Sequence, residues 1–183
     1  LALVGPSGSG KREITEALCG SKGGNTTERI STEELFVRPV NYCTEPERHG
    51  HRYVSKEAFD QMNFFEKTAY AGVRYGTRKE DIQELLDQGK FAVIPVDMCG
   101  AIAMKRSFPT HIIYVARDKE KLIADIIESD YDTEEKTLRI LSIDAEKRNR
   151  KICDYVIHND TITGDFVSGA EELRKLIMPE SEK

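Results

Sequence analysis

Leu1-Ala2-Leu3-Val4-Gly5-Pro6-Ser7-Gly8-Ser9-Gly10-Lys11 opens the chain, and its order of residue types decides the fold. The four apolar residues read as a short buried strand, and Lys11–Cys19 reads as a helix with Ile14, Ala17 and Leu18 on one face. Between them Gly5 to Lys11 fills the GxxxxGK spacing, at the strand-to-helix junction where that spacing has a physical use. Glycines let the backbone curl around phosphate oxygens, successive N–H groups turn inward, the helix N-terminus adds partial positive charge, and a lysine adds a mobile cation. A phosphate-binding loop is expected, with Gly5, Ser7, Gly8, Ser9, Gly10, Lys11 and Arg12 around the anion. Arg12 stands where Ser or Thr usually offers a hydroxyl to Mg²⁺, so that route to a metal is missing.

Outward from the loop the pattern repeats. Residues 20–27 form a polar connector, 35–44 and 52–54 read as extended, and Ser55 caps a short helix carrying Ala58, Phe59 and Met62. Residues 78–88 are amphipathic, with Ile82, Leu85 and Leu86 inward and Gly89 as the stop. The runs 91–96, Ile112–Ala116 and 155–157 are nearly all apolar, as expected of parallel strands covered on both faces. Helices are expected at 101–106, 119–129, 134–150 and 166–177, and a frayed tail at 179–183. Strands alternating with helices predict an α/β fold with a parallel sheet built by right-handed crossovers.

With 183 residues, 39% of them hydrophobic, the chain fits one compact domain that hides roughly 70% of its unfolded surface. It carries 27 Lys and Arg against 32 Asp and Glu, a net charge of -5, so it is not built to track a nucleic acid. Phosphate must be bound locally. Cys19, Cys43, Cys99 and Cys153 show no CxxC or CxxH spacing, which predicts reduced thiols, no zinc site and a cytoplasmic setting. No apolar run approaches the ~20 residues of a membrane span, and residues 1–4 are too short for a signal peptide. The chain opens at Leu1 rather than Met, so native residues are expected to precede it.

Five further stretches carry a resemblance. They are Cys43-Thr44-Glu45-Pro46-Glu47-Arg48-His49-Gly50-His51, Arg52-Tyr53-Val54-Ser55, Phe65-Glu66 with Tyr75-Gly76-Thr77, Val96-Asp97-Met98-Cys99-Gly100, and Asp154-Tyr155-Val156-Ile157-His158-Asn159-Asp160. In this order after the loop they resemble guanylate kinases, P-loop nucleoside monophosphate kinases that move a phosphoryl group from ATP to GMP. The resemblance implies a three-layer P-loop NTPase fold with a parallel central sheet, a small β-rich acceptor-binding subdomain and a helical lid. It places the core at 1–32, 91–118 and 148–183, the acceptor subdomain at 33–90 and the lid at 119–147. Catalysis falls to Lys11 and Arg139, ATP to the loop with Arg12 and Asn159, and GMP to Arg48, Tyr53, Glu66, Tyr75, Thr77 and Asp97. Mg²⁺ would accompany ATP, with Asp97 reaching it through waters.

The chemistry is coherent at these positions. Guanine, with an N1–H and an exocyclic amine, wants a carboxylate such as Glu66 and a hydroxyl such as Thr77, and a monophosphate wants an arginine fork and tyrosine hydroxyls. Three positions depart from the family. Glu45 occupies the place of a phosphate-binding arginine, Pro95 that of an acidic residue, and the lid helix from Lys119 onward has no arginine. Arg139, with Glu146 seven residues on, is the lid cation that remains. Fewer cations predict weak turnover. Two alternatives stay open: a guanylate kinase-like binding module without useful catalysis, and a P-loop kinase for another small acceptor.

Overall fold

The computed structural model describes residues 1–20, 35–46, 48, 50–70, 72–163 and 166–178; the expected connector beyond Gly20 and the tail 179–183 lie outside these. In chain order the elements are β1 (Ala2–Val4), α1 (Lys11–Cys19), β2 (Phe36–Val37), β3 (Asn41–Cys43), β4 (Arg52–Tyr53), α2 (Lys56–Gln61), β5 (Phe64–Tyr70), β6 (Val73–Arg78), α3 (Lys79–Asp87), β7 (Phe91–Ala92) and β8 (Ile94–Pro95). There follow α4 (Met98–Ser107), β9 (Ile112–Ala116), α5 (Lys119–Glu128), α6 (Thr133–Arg148), a 3₁₀ turn (Asn149–Ile152), β10 (Tyr155–His158), β11 (Ile162–Thr163), β12 (Phe166–Val167) and α7 (Ser168–Ile177).

The central sheet is parallel, with β1 between β8 and β9, and β10 outside β9. The apolar run 91–96 serves two neighbours in turn. Phe91 and Val93 donate to the carbonyls of Leu35 and Val37, at 2.8 and 2.9 Å, and Ile94 and Val96 donate to those of Leu1 and Leu3, at 2.9 and 3.0 Å. The expected single strand is therefore divided into β7, which pairs with Phe36–Val37 in a two-stranded sheet, and β8, which pairs with β1 in the central one. The connection after β1 runs to β2 beside β7 and the connection after β9 runs the other way to β10, which puts the C-terminal ends of β1 and β9 at the switch point where open α/β sheets bind ligands.

Period-two alternation fills both faces. Leu1, Leu3, Ile113 and Val115 pack with Ile14 and Leu18 of α1 and with Ala170 and Leu173 of α7. Ala2, Val4, Ile112 and Tyr114 pack on the other side with Ile82 and Leu85 of α3 and with Ala101 and Met104 of α4. Helix, sheet and helix make three layers.

Helix α4 begins at Met98, earlier than expected, because Asp97 caps it: Oδ1 accepts the Gly100 N–H at 2.7 Å. The expected helix 166–177 starts only at Ser168, since Phe166–Val167 pairs with Ile162–Thr163. The expected helix 134–150 runs from Thr133 to Arg148 and tightens into the 3₁₀ turn.

A second sheet, in the order β4, β3, β6, β5, stands beside the core. The hairpin of β5 and β6 has no counterpart in the sequence reading, because Phe65-Glu66-Lys67-Thr68 alternates too weakly to announce a strand. Phe65 reaches from it into the cluster around α4, while Tyr42, Phe59 and Phe64 form a small core beneath it. Ser55 caps α2 as expected, accepting the Ala58 N–H at 3.1 Å. Helices α5 and α6 share their own core of Leu122, Ile126 and Ile143, and Lys119 ties them through Asp144 at 2.8 Å. None of the four cysteines is in a disulfide, and no helix among the described residues is long and apolar enough to cross a membrane.

An aromatic stack sits at the centre of the second sheet's small core. Phe59 is fully buried and stacks on Phe64 with ring centroids 4.3 Å apart. Phe59→Ala should cost about 3–5 kcal/mol by urea unfolding, since the surrounding hairpin cannot collapse into the space left.

Candidate active site

The loop 5–11 leaves β1 with positive φ at Gly5, Gly8 and Gly10. At Gly10 the reason is doubled: φ is +87°, and a Cβ there would collide with the Asn159 amide. Asn159 is fully buried and stands behind the loop, its Nδ2 donating to the Ser9 carbonyl at 2.9 Å while its Oδ1 accepts the Gly169 N–H at 3.1 Å. The side chain that the sequence assigned to the nucleotide is thus engaged with the loop's backbone.

Lys11 folds back over the loop it ends. Its Nζ donates to the carbonyls of Gly5 at 2.6 Å and Pro6 at 2.8 Å. Burial pushes its pKa down to about 8, against the opposing pull of Glu146. From α6, Arg139 donates through Nη1 to the Ser7 hydroxyl, through Nη2 to Glu135 at 2.6 Å, and lies over the Tyr131 ring at 3.9 Å. Two cations from separate elements meet at one loop. Arg12, in the first turn of α1, is exposed.

A cavity of about 550 Å³ opens from the loop toward the second sheet. Gly5, Ser7 and Lys11 line one end, and Glu66, Tyr75, Thr77 and Asp97 the other. Strand pairing explains the grouping: Glu66 on β5 is the partner of Thr77 on β6, and Asn41 on β3 pairs with Thr77 from the far side. The Glu66 carboxylate lies against Gly100 of α4, where any Cβ would meet it. Burial, and then the charge of Asp97, hold the Glu66 carboxyl above its ordinary value.

Arg48 and Tyr53 are not part of the cavity lining. Arg48 lies over the Tyr75 ring at 5.8 Å and pairs with Glu45 at 3.4 Å, and Tyr53 is 52% exposed. The sequence reading missed Asn41, His51 and Thr68, which line the same cavity. Asn41 is the notable one, because its Oδ1 is buried with no hydrogen-bond partner. A lone amide between Val40 and Tyr42 in an apolar strand was the available signal.

Among the described residues no cluster of three or more acidic, His or Cys side chains could cage a metal. The arrangement can hold a polyphosphate on backbone N–H groups and Lys11, with Arg139 at Ser7 beside it, and offer a hydrogen-bonding wall of Glu66 and Thr77 across the cavity.

The family model described as guanylate kinase matches residues 1–175. The guanylate kinase of Chlamydia trachomatis serovar D is 26% identical over 189 residues, covering 99% of this chain and 87% of that protein. That of Wolinella succinogenes is 30% identical over 167 residues, covering 87% and 75%. The crystal structure of guanylate kinase from Anaplasma phagocytophilum superposes with a TM-score of 0.54 at 15% identity, covering 99% of this chain and 96% of that one, a likeness of fold.

Because Lys11 is half-discharged near pH 8 when the loop is empty, an anion that favours its charged form must raise its pKa. Affinity for ADP should therefore fall as pH rises from about 7 to about 9, with proton uptake on binding near the upper end. Calorimetry in buffers of different ionisation enthalpy checks this, and Lys11→Ala should show neither effect.

Proposed function

The chain belongs to the guanylate kinase family, and we propose that it transfers the γ-phosphoryl of ATP to GMP, giving ADP and GDP, with the residue roles that follow. The observation that supports this best is the continuous cavity joining the phosphate loop to the Glu66, Thr77 and Tyr75 wall, because in-line transfer needs donor and acceptor side by side in one space.

The ATP polyphosphate lies in the loop of Gly5, Ser7, Gly8, Ser9 and Gly10, displacing the Lys11 contacts to the Gly5 and Pro6 carbonyls. Arg12 stands exposed beside it, and Asn159 acts from behind by holding the Ser9 carbonyl. Guanine donates its N1–H and amine to the Glu66 carboxylate, with the Thr77 hydroxyl beside it. The acceptor phosphate takes the Tyr75 hydroxyl and Arg48, and Tyr53 turns in from β4. An oxygen of that phosphate attacks the γ-phosphorus as the bond to the β-bridging oxygen breaks, and ADP leaves. Lys11 and Arg139 neutralise the charge on the oxygens in flight.

Mg²⁺, carried in with ATP, would supply further neutralisation of the phosphates. The chain's own part is limited to carboxylates on the cavity wall, Asp97 and Glu146, reaching such an ion through waters. In this reading the segments 1–32, 91–118 and 148–183 form the core, 33–90 the acceptor side and 119–147 the lid, with Phe36–Val37 held to the core by its pairing. The protein acts in the cytoplasm.

Calorimetric titration should give GMP tighter binding than AMP, whose ring nitrogen N1 is an acceptor that a carboxylate repels. Glu66→Gln should erase the preference more than the affinity, a change of at least tenfold in the GMP to AMP ratio. Equal binding of the two nucleotides by the unaltered chain would point to another acceptor.

Glu45 holds Arg48 in an exposed pair and repels the acceptor phosphate. Glu45→Arg should lower the KM for GMP several-fold and leave kcat nearly unchanged in a steady-state assay, because it adds binding that ground state and transition state share.

A further inference from the structure

Helix α5 carries no arginine, and its Asp125 faces Arg117 instead. A cation is nevertheless present at this place. Arg117, the residue after β9, donates through Nη1 to the Gly8 carbonyl at 2.7 Å and pairs with Asp125 at 2.6 Å. Its side chain is 13% exposed, and its Nε is buried with no hydrogen-bond partner. A buried guanidinium left partly unsatisfied is costly, so the contacts it does make at the loop call for a reason.

The Gly8–Ser9 peptide supplies one. Gly8 has a φ of +80°, and a glycine peptide flips with little steric resistance. A flip would turn the Ser9 N–H away from the bound anion and the Gly8 carbonyl toward it. At present the Ser9 N–H points across the loop to the Pro6 carbonyl at 3.1 Å. Arg117 after β9 holds the Gly8 carbonyl and Asn159 after the neighbouring β10 holds the next one, Ser9, so two successive carbonyls are each held by a side chain from beyond the loop. A cation on the carbonyl also polarises the peptide and strengthens its N–H as a donor.

We propose that Arg117 is a positioning residue for the donor phosphates, acting through the Gly8–Ser9 peptide, with Asp125 aiming its guanidinium. This rests on the reading of loop 5–11 as the ATP site. It gives Asp125 a role that an arginine at the same position of α5 would abolish.

The test is calorimetric titration of the full chain with Mg-ATP and, separately, GMP, for the unaltered protein, Arg117→Ala, Arg117→Lys and Asp125→Ala. Melting curves without nucleotide and the ¹⁵N–¹H resonance of Ser9 accompany it. Arg117→Ala should weaken ATP about tenfold, leave GMP affinity unchanged and shift the Ser9 amide resonance in the nucleotide-free protein. Arg117→Lys, which keeps one N–H for the carbonyl, should recover part of the loss, and Asp125→Ala should lose less than Arg117→Ala. Unchanged ATP affinity in Arg117→Ala overturns the proposal alone. So does a parallel loss of ATP and GMP affinity with a lowered Tm, the mark of a pair that only holds the fold. Failure of the unaltered chain to bind ATP overturns the donor-site reading, and the proposal with it.

Discussion

The placement of seven residues, Gly5 to Lys11, at the carboxyl end of the middle strand is the constraint on which the rest depends. The N–H groups at Ser9 and Gly10 can face an anion only if the Gly8 and Ser9 carbonyls are held elsewhere, and the neighbouring elements hold both. The Asn159 amide after β10 takes the Ser9 carbonyl, Arg117 after β9 takes that of Gly8, and α7 closes the Asn159 side through the Gly169 N–H. A Cβ at Gly169 would press on the end of Ile14 of α1 and on the Asn159 side chain. The core packing of α1 against α7 and the geometry of the loop are thus one requirement.

Charge is arranged around that loop in opposed sets. Lys11 and Arg139 converge on it, while Glu66, Asp97 and Glu146 lie along the cavity wall. Desolvation works against the charged form on both sides, lowering the Lys11 pKa and raising that of Glu66. Burial therefore works against charge at both ends of the cavity, and on the proposed reading a nucleotide would relieve each by its own chemistry, phosphate for the lysine and base N–H groups for the carboxylate. The acceptor end is less finished, since Arg48 is still paired with Glu45 and Tyr53 is exposed.

Much of this was legible in the sequence because its signals are local. The strand, loop and helix of residues 1–19 follow from one spacing, and Ile82, Leu85 and the Gly89 stop follow from helical period. Glu66, Tyr75, Thr77 and Asp97 were found through family likeness and stand together in one cavity. What escaped depends on contacts distant in the chain. Gly8 and Arg117 are 109 residues apart, and no periodicity relates them. Asn41 meets Thr77 only through strand register, and the hairpin that carries Glu66 lacks a clean alternation. Asp97 was read for its charge, which concealed its service as the cap that starts α4.

The account stands on one claim, that donor and acceptor occupy the two ends of a single cavity hinged on the loop. It is tested most directly with a compound joining adenosine and guanosine through a polyphosphate bridge, titrated calorimetrically alone and in competition with ATP and with GMP. The account predicts one molecule bound per chain, more tightly than either nucleotide, displaced by both, and lost in Lys11→Ala. Binding no tighter than ATP alone, with GMP unable to compete, would contradict it.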